Sequence, residues 1–262
     1  MKLLEGKTAL IFGLANKRSI AWGIAQAFHQ QGATLGFSYA GETLERRVRP
    51  LAESIGVEFV EPCDVSKDES IQRVKEKASA FFGEIDIIVH SIGFADRNEL
   101  QGAYYNTSRA GFHLAMDISV YSFTALAQAF QPIMRSGGSL LTMTYNGGDK
   151  VAPNYNVMGV AKAALEASMR YLAYDLGPRN IRVNAISAGP IRTLAAAGVS
   201  GFKSMYKQFA EFAPLQQDLD ILDVGNTAVY LCSDLSSKTT GQVVFVDSGY
   251  NIIGVPVPRD KE

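Results

Sequence analysis

Short apolar runs recur along this chain, and each is followed by a longer stretch whose apolar residues fall at helical spacing. The first run is Thr8–Phe12, closed by Gly13. The stretch 19–31 after it sets Ile20, Ile24, Ala27 and Phe28 on one stripe, as an amphipathic helix requires. The pattern continues with a strand at Thr34–Tyr39 and a helix over 42–55 whose wet side carries Glu45, Arg46, Arg47 and Arg49. A strand at 57–60 and a helix over 66–82 follow, with Ser66 suited to cap it. Ile85–His90 reads as a buried strand, 109–129 as a long helix and 139–144 as a strand. The helix bearing Tyr155 and Lys162 comes next. Strands at 181–186 and 242–246 bracket a helix at 223–232.

Strand–helix alternation of this kind predicts an α/β fold, because parallel neighbours need long crossover connections. The expectation is a single Rossmann-like doubly wound parallel sheet of about seven strands with helices on both faces. No linker, repeat or low-complexity segment interrupts 1–262, so one domain is expected. Hydrophobic residues make up 47% and charged residues 19%, with a net charge of -1. That balance argues against nucleic-acid tails and polybasic membrane anchors. Cys63 and Cys232 lack CxxC spacing, and His29, His90 and His113 lack ligand spacing, so neither a disulfide framework nor a metal site is expected. The start of the chain holds no cleavable apolar segment, and no run reaches the ~20 apolar residues of a membrane helix. A soluble cytoplasmic protein is the expectation.

In such sheets ligands bind beyond the carboxyl ends of the strands, near the point where strand order reverses. The informative positions are therefore Gly13 to Ser19, Asp64 and Val65, Ser91 to Gly93, Tyr145, and Ser187 to Thr193. Gly13-Leu-Ala-Asn-Lys-Arg-Ser19-Ile20 joins the first strand to the first helix. Gly13 permits a turn and close approach of a phosphate, Ser19 can cap the helix, and the helix N-terminus offers N–H groups to a pyrophosphate. The loop is not a G-x-G-x-x-G, and by itself it reads equally as an ordinary strand–helix turn. Glu42 falls late for a ribose-binding acid, and Arg46 and Arg47 could meet a 2'-phosphate or simply face water. Asp64 could accept from an adenine amino group or cap a helix.

Tyr155 and Lys162 stand seven residues apart in a helix-forming stretch, almost two turns, which puts them on one face. An ammonium there would lower the cost of a phenolate, so the tyrosine is expected to become a better proton donor near neutral pH. With 11 tyrosines in the chain, the spacing alone decides nothing.

Together these residues resemble the short-chain dehydrogenase/reductase superfamily. Most members space the tyrosine and lysine by four. The spacing of seven here, with Ser19-Ile-Ala-Trp-Gly23, His90-Ser-Ile-Gly-Phe-Ala95 and Arg182-Val-Asn-Ala-Ile-Ser-Ala-Gly-Pro-Ile-Arg-Thr-Leu-Ala195, is similar to the bacterial enoyl-acyl carrier protein reductase family. The likeness spans nearly the whole chain. It implies that Gly13, Ser19 and Ile20 hold a pyrophosphate, Asp64 and Val65 an adenine, and Ile92 the adenosine side. It further implies that Lys162 bonds the nicotinamide ribose and that Ile191, Arg192, Thr193, Leu194 and Ala195 line the nicotinamide and pyrophosphate. Ala95 would meet substrate, Tyr155 and Tyr145 would be the active-site tyrosines, and 193–212 would be a mobile flap, with Leu194, Val199, Phe202 and Met205 on the acyl chain. Ala40 and Gly41 place no basic group after the second strand, which favours NADH over NADPH. Only Lys203 and Lys207 offer charge to an acidic carrier protein. A homotetramer is also implied.

On that resemblance the chain reduces trans-2-enoyl thioesters on acyl carrier protein, with Tyr155 aimed at the thioester oxygen as negative charge builds there. C2 then takes a proton from water or a relay. A carbonyl reductase acting on 3-oxoacyl thioesters remains an alternative. Such enzymes add a serine about a dozen residues before the tyrosine, where this chain reads Thr142-Met-Thr-Tyr145. A dinucleotide-binding regulator without chemistry is the third reading.

Overall fold

Strands that are apolar on both faces must be covered on both. The computed structural model describes residues 2–193, 196 and 201–255, the side chains of Phe202 and Lys203 excepted. Strands β1 (Thr8–Phe12), β2 (Thr34–Tyr39), β3 (Phe59–Pro62), β4 (Ile85–His90), β5 (Met134–Thr144), β6 (Arg182–Ala188) and β7 (Val243–Val246) form one sheet in the order β3-β2-β1-β4-β5-β6-β7. Every pairing is parallel. The helices are α1 (Ile20–Gln30), α2 (Glu42–Ser54), α3 (Asp68–Phe82), α4 (Arg109–Met116), α5 (Ser122–Phe130), α6 (Asn156–Leu176), α7 (Phe202–Phe212) and α8 (Ile221–Cys232). Alternate residues of β1 divide between two cores: Ala9 and Ile11 pack with α1, α2 and α8, whereas Leu10 and Phe12 pack with α3, α5 and α6. Strand order reverses between β1 and β4, and folds of this kind take their ligands beyond the carboxyl ends of the strands at that point. No described helix is long and apolar enough to cross a membrane.

The doubly wound α/β sheet is the one expected, and several boundaries move for local reasons. β3 begins two residues late because the Val57 N–H bonds to the Ala52 carbonyl and closes α2 instead. Ser66 does not cap α3. Its hydroxyl donates to Asp64, and Lys67 takes the cap position without a side-chain bond. β5 starts at Met134, ahead of the expected 139, with a register shift opposite Ile85–Ile87. α8 begins at Ile221, where Asp220 accepts from the Leu222 N–H and Asp223 returns a bond to the Asp220 N–H. Of the expected flap 193–212, Leu194, Ala195 and Val199 lie outside the described residues, as does the side chain of Phe202; Phe202–Phe212 is helical.

The long helix expected over 109–129 is two helices joined by a π turn at Asp117–Tyr121. Such turns insert a residue and re-aim the side chains after it. Here the turn directs two buried serines at the end of β4. Ser119 Oγ accepts from the Phe94 N–H at 3.0 Å and donates to the Phe94 carbonyl at 3.1 Å. Ser122 Oγ donates to the Ile118 carbonyl at 2.7 Å and lies 2.8 Å from His90 Nε2. With its proton committed, Ser122 can only accept from Nε2–H, leaving Nδ1 to accept from Thr142 Oγ1, 2.8 Å away. The histidine is neutral: full burial first, and the Lys162 charge second, push its pKa down to about 3.

Two predictions follow from this packing. α1 and α8 cross with almost no gap at Gly23, where a Cβ would lie 2.2 Å from the Ile221 carbonyl oxygen. Gly23→Ala should destabilise the fold by about 1–3 kcal/mol, read from the urea midpoint; an unchanged midpoint would mean the crossing has slack. For His90, the unfolded chain takes up a proton near the ordinary 6.5 while the folded chain does not until about 3. Its contribution is therefore complete above 6.5 and is lost as pH falls through that window, by roughly 1.4 kcal/mol per pH unit. Urea midpoints at several mildly acidic pH values should fall more steeply for the wild type than for His90→Gln. Equal slopes would contradict the neutral assignment.

Candidate active site

The crevice beside β1 is shaped first by Gly13. At φ +92 it turns the chain sharply, and a Cβ there would sit 2.2 Å from the Ser91 carbonyl oxygen. Only a glycine lets the loop after β1 lie against the loop after β4. Ser19 stands at the cap position of α1, yet its hydroxyl donates to the Asn16 carbonyl at 2.6 Å and makes no side-chain cap, contrary to expectation. The first turn of α1, with Ile20 partly buried, thus presents backbone N–H groups that no side chain covers. This cradle, with the positive end of the helix dipole behind it, fits a pyrophosphate.

Asp64 does not cap α3, which begins after Lys67. Its Oδ1 accepts from the Ser66 N–H and hydroxyl, its Oδ2 lies 3.2 Å from Lys67, and the Ser66 hydroxyl leads in holding the carboxyl below its usual range. The carboxylate thus organises the turn after β3 and stays about half exposed, while Val65 beside it is buried. Asp64, Cys63, Ser70 and Arg73 line one hollow of about 320 Å³ at the end of β3. At the end of β2, buried Tyr39 bonds Glu45, which pairs with Arg49 at 2.5 Å. Arg46, Arg47 and Glu42 are exposed on α2, a solvated face.

Tyr155 is the residue before α6, and Lys162 lies within that helix. Both face the loop after β5. A Cβ on Gly147 would lie 2.6 Å from the Tyr155 ring, and one on Gly148 would lie 3.1 Å from the Lys162 carbonyl carbon. Lys162 is buried and its Nζ donates to the Met143 carbonyl at 2.7 Å. The end of β4 closes over it, so that a Cβ on Gly93 would be 3.5 Å from Nζ. Burial pulls the Lys162 pKa down to about 8, opposed by Glu166. The expected lowering of the Tyr155 pKa is not found. Burial comes first and the neighbouring Tyr145 second in raising it.

Tyr145 meets Tyr155 edge to face with ring centroids 4.9 Å apart, and its hydroxyl donates to Met205 Sδ of α7 at 3.2 Å. Burial raises its pKa to about 12. Ile92 and Ala95 are partly buried beside the α6 core, within reach of the same crevice. Ile191 is buried and the Arg192 guanidinium lies 4.4 Å over the Tyr206 ring, while Thr193 Oγ1 accepts from the Ala196 N–H. Sequence reasoning missed Ser119, Ser122, Thr142 and His90 as supports of the site. Two serines and a histidine among apolar neighbours were the available signal. It also missed Glu166, whose Oε1 accepts from Thr144 Oγ1 at 2.6 Å.

Residues 13–251 match the family model described as enoyl-(acyl carrier protein) reductase. The chain is 52% identical to the NADH enoyl-[acyl-carrier-protein] reductase of Aquifex aeolicus, over 97% of its own length and 95% of the relative's. It superposes on the Bacillus cereus enoyl-acyl carrier protein reductase solved with NADP+ and indole naphthyridinone at a TM-score of 0.95, with 52% identity, covering 97% of this chain and 100% of that one. The Anaplasma phagocytophilum reductase solved with NAD gives a TM-score of 0.94 at 50% identity, covering 97% of each chain. This chain belongs to the enoyl-(acyl carrier protein) reductase family.

Proposed function

We propose that the protein reduces the trans-2 carbon–carbon double bond of enoyl thioesters on acyl carrier protein with NADH, the last reductive step of fatty-acid elongation. The observation that carries this reading is the grouping of Tyr145, Tyr155 and a buried Lys162 at the carboxyl ends of the sheet, beside a cradle that fits a pyrophosphate. NADH, when bound, would supply the hydride that C3 accepts. As it arrives, negative charge gathers on the thioester oxygen, and a hydrogen-bond donor aimed there stabilises the transition state more than the ground state. A tyrosine whose pKa is raised keeps its proton through neutral pH, which suits it to donate and not to ionise. We assign that donor to Tyr155, with Tyr145 bounding the same space. Lys162 would position the ribose, Gly13, Ser19 and Ile20 the pyrophosphate, Asp64 and Val65 the adenine, and Ile92 the adenosine side. Ile191 to Ala195 would line the nicotinamide, and the Ala95 backbone would meet substrate.

Two further features support the reading. Thr142 and Thr144, the hydroxyls nearest where a carbonyl reductase would carry its serine, are committed to His90 and Glu166. Glu45 beside the end of β2 already pairs with Arg49, so that cation is engaged, which favours NADH over NADPH. The curated relatives carry NADH in their names, while the Bacillus cereus structure was solved with NADP+. We place the enzyme in the cytoplasm, where the buried thiols of Cys63 and Cys232 remain reduced. Lys207, exposed on α7, is the described cation offered to the carrier protein.

We also propose a homotetramer. Val160, Tyr171 and Tyr174 are 36%, 75% and 83% exposed, and at ~100° per residue they lie within about 60° of one another on α6. An exposed apolar stripe of that kind marks a contact between chains. Light scattering should give four times the chain mass.

Turnover is tested by following NADH oxidation with crotonyl- and acetoacetyl-thioesters side by side, and with NADPH in parallel. Crotonyl reduction with NADH should be fastest, and Tyr155→Phe should lower its turnover by on the order of 10²–10³. Faster oxidation with the keto compound, or full activity in the variant, would overturn the assignment.

A further inference from the structure

Helix α6 meets the end of β5 through two consecutive strand residues. The Met143 carbonyl accepts from Lys162 Nζ at 2.7 Å, and the next residue, Thr144, donates its hydroxyl to Glu166 Oε1 at 2.6 Å. Lys162 and Glu166 are four residues apart, one turn along the same helix face. Gly148 seals this turn from the loop side: a Cβ there would lie 3.0 Å from the Ala163 nitrogen and 3.1 Å from Glu166 Oε1. The carboxylate is half-buried on the protein side of α6, not extended into water like a surface glutamate.

We propose that Glu166 is a positioning residue for the reaction: its charge keeps Lys162 an ammonium, and its bond to Thr144 fixes the register of α6 against β5. The proposal rests on the role given to Lys162 above. Three lines of geometry support it. The lysine is buried, so its charge is costly unless an anion stands nearby. Glu166 is the one anion one turn away on the same face, held there by a hydroxyl from the strand that also holds the lysine. The charged groups around the pair come from few elements. Arg170 lies one turn further along α6, Asp149 in the loop after β5, and neutral His90 at the end of β4. Tyr145 and Tyr155 close the remaining side as uncharged phenols at neutral pH.

Burial draws the Lys162 pKa down to about 8, and the Glu166 charge is what opposes the fall. Glu166 itself titrates above the usual carboxylate range, chiefly through burial, with the Thr144 hydroxyl as the leading opposing influence. Removing the negative charge therefore lets Lys162 lose its proton at lower pH. The consequence is an alkaline limb in activity that moves toward neutrality.

The test is the pH profile of kcat/KM and of NADH affinity in Glu166→Gln, Thr144→Val and Lys162→Met. Glu166→Gln keeps an oxygen for Thr144 and removes only the charge. Its alkaline limb should move to lower pH by roughly half a unit or more, and NADH affinity should weaken by about two-fold or more at pH 8 but little at pH 6.5. Thr144→Val keeps the charge but removes the bond that sets the register of α6, so its kcat/KM should fall across the whole pH range while its limb moves less than that of Glu166→Gln; unchanged kcat/KM would overturn the register role. A Glu166→Gln limb that does not move, while Lys162→Met is impaired, would overturn this inference alone. Full activity and unaltered NADH affinity in Lys162→Met would instead overturn the site assignment on which it stands. Thermal unfolding of each variant separates a shift in the limb from simple loss of fold.

Discussion

One hydrogen bond, from the Lys162 ammonium to the Met143 carbonyl, ties the longest helix of the chain to the central part of its sheet. The bond is short, charge-assisted and out of reach of water, which makes it far stronger than an equivalent surface contact. It fixes where Tyr155 stands at the head of α6, and it places the ammonium under the loop at Gly93. The cost of burying that charge is met by nearby polar groups and not by solvent. Met143 gives a carbonyl, Glu166 gives a countercharge, and His90 stays neutral, first through its own full burial and second through the lysine's charge.

The rest of the site follows from how closely two loops can approach. Gly13 lies against the Ser91 carbonyl, so the loops after β1 and β4 meet at the point where strand order reverses. The π turn between α4 and α5 then grips the second loop through Ser119 at both the N–H and the carbonyl of Phe94. A backbone segment held at both of its polar groups cannot rotate. Ala95, one residue beyond, inherits that rigidity, which is what a backbone contact to substrate needs.

Much of this was legible in the residue pattern, and the exceptions have physical causes. β1 and β4 were visible at their true bounds because each is short, largely apolar and followed at once by a glycine or a polar residue. The π turn was invisible because an inserted residue leaves helical composition unchanged and only shifts phase. The direction of the Tyr155 shift was misjudged for a similar reason. Sequence spacing shows that two groups can share a face, but not how deeply the phenol is buried, and burial is what sets the direction of its shift. Asp64 illustrates the same limit, since its neighbours in sequence, Ser66 and Lys67, take up the carboxylate. Glu166 was read as one more helix residue, because nothing in the local sequence reveals which of its neighbours is a strand end.

The contact between the Tyr145 hydroxyl and the Met205 thioether has a consequence for recognition. Sulfur in a thioether is a soft, feeble acceptor, whereas an acyl oxygen is a good one. A phenol resting on such a partner is kept dry and pointed inward without being strongly held. A better acceptor reaching this hydroxyl would displace the sulfur at little enthalpic loss, so the space that Tyr145 is proposed to bound beside Tyr155 can be reshaped without a strong bond having to break.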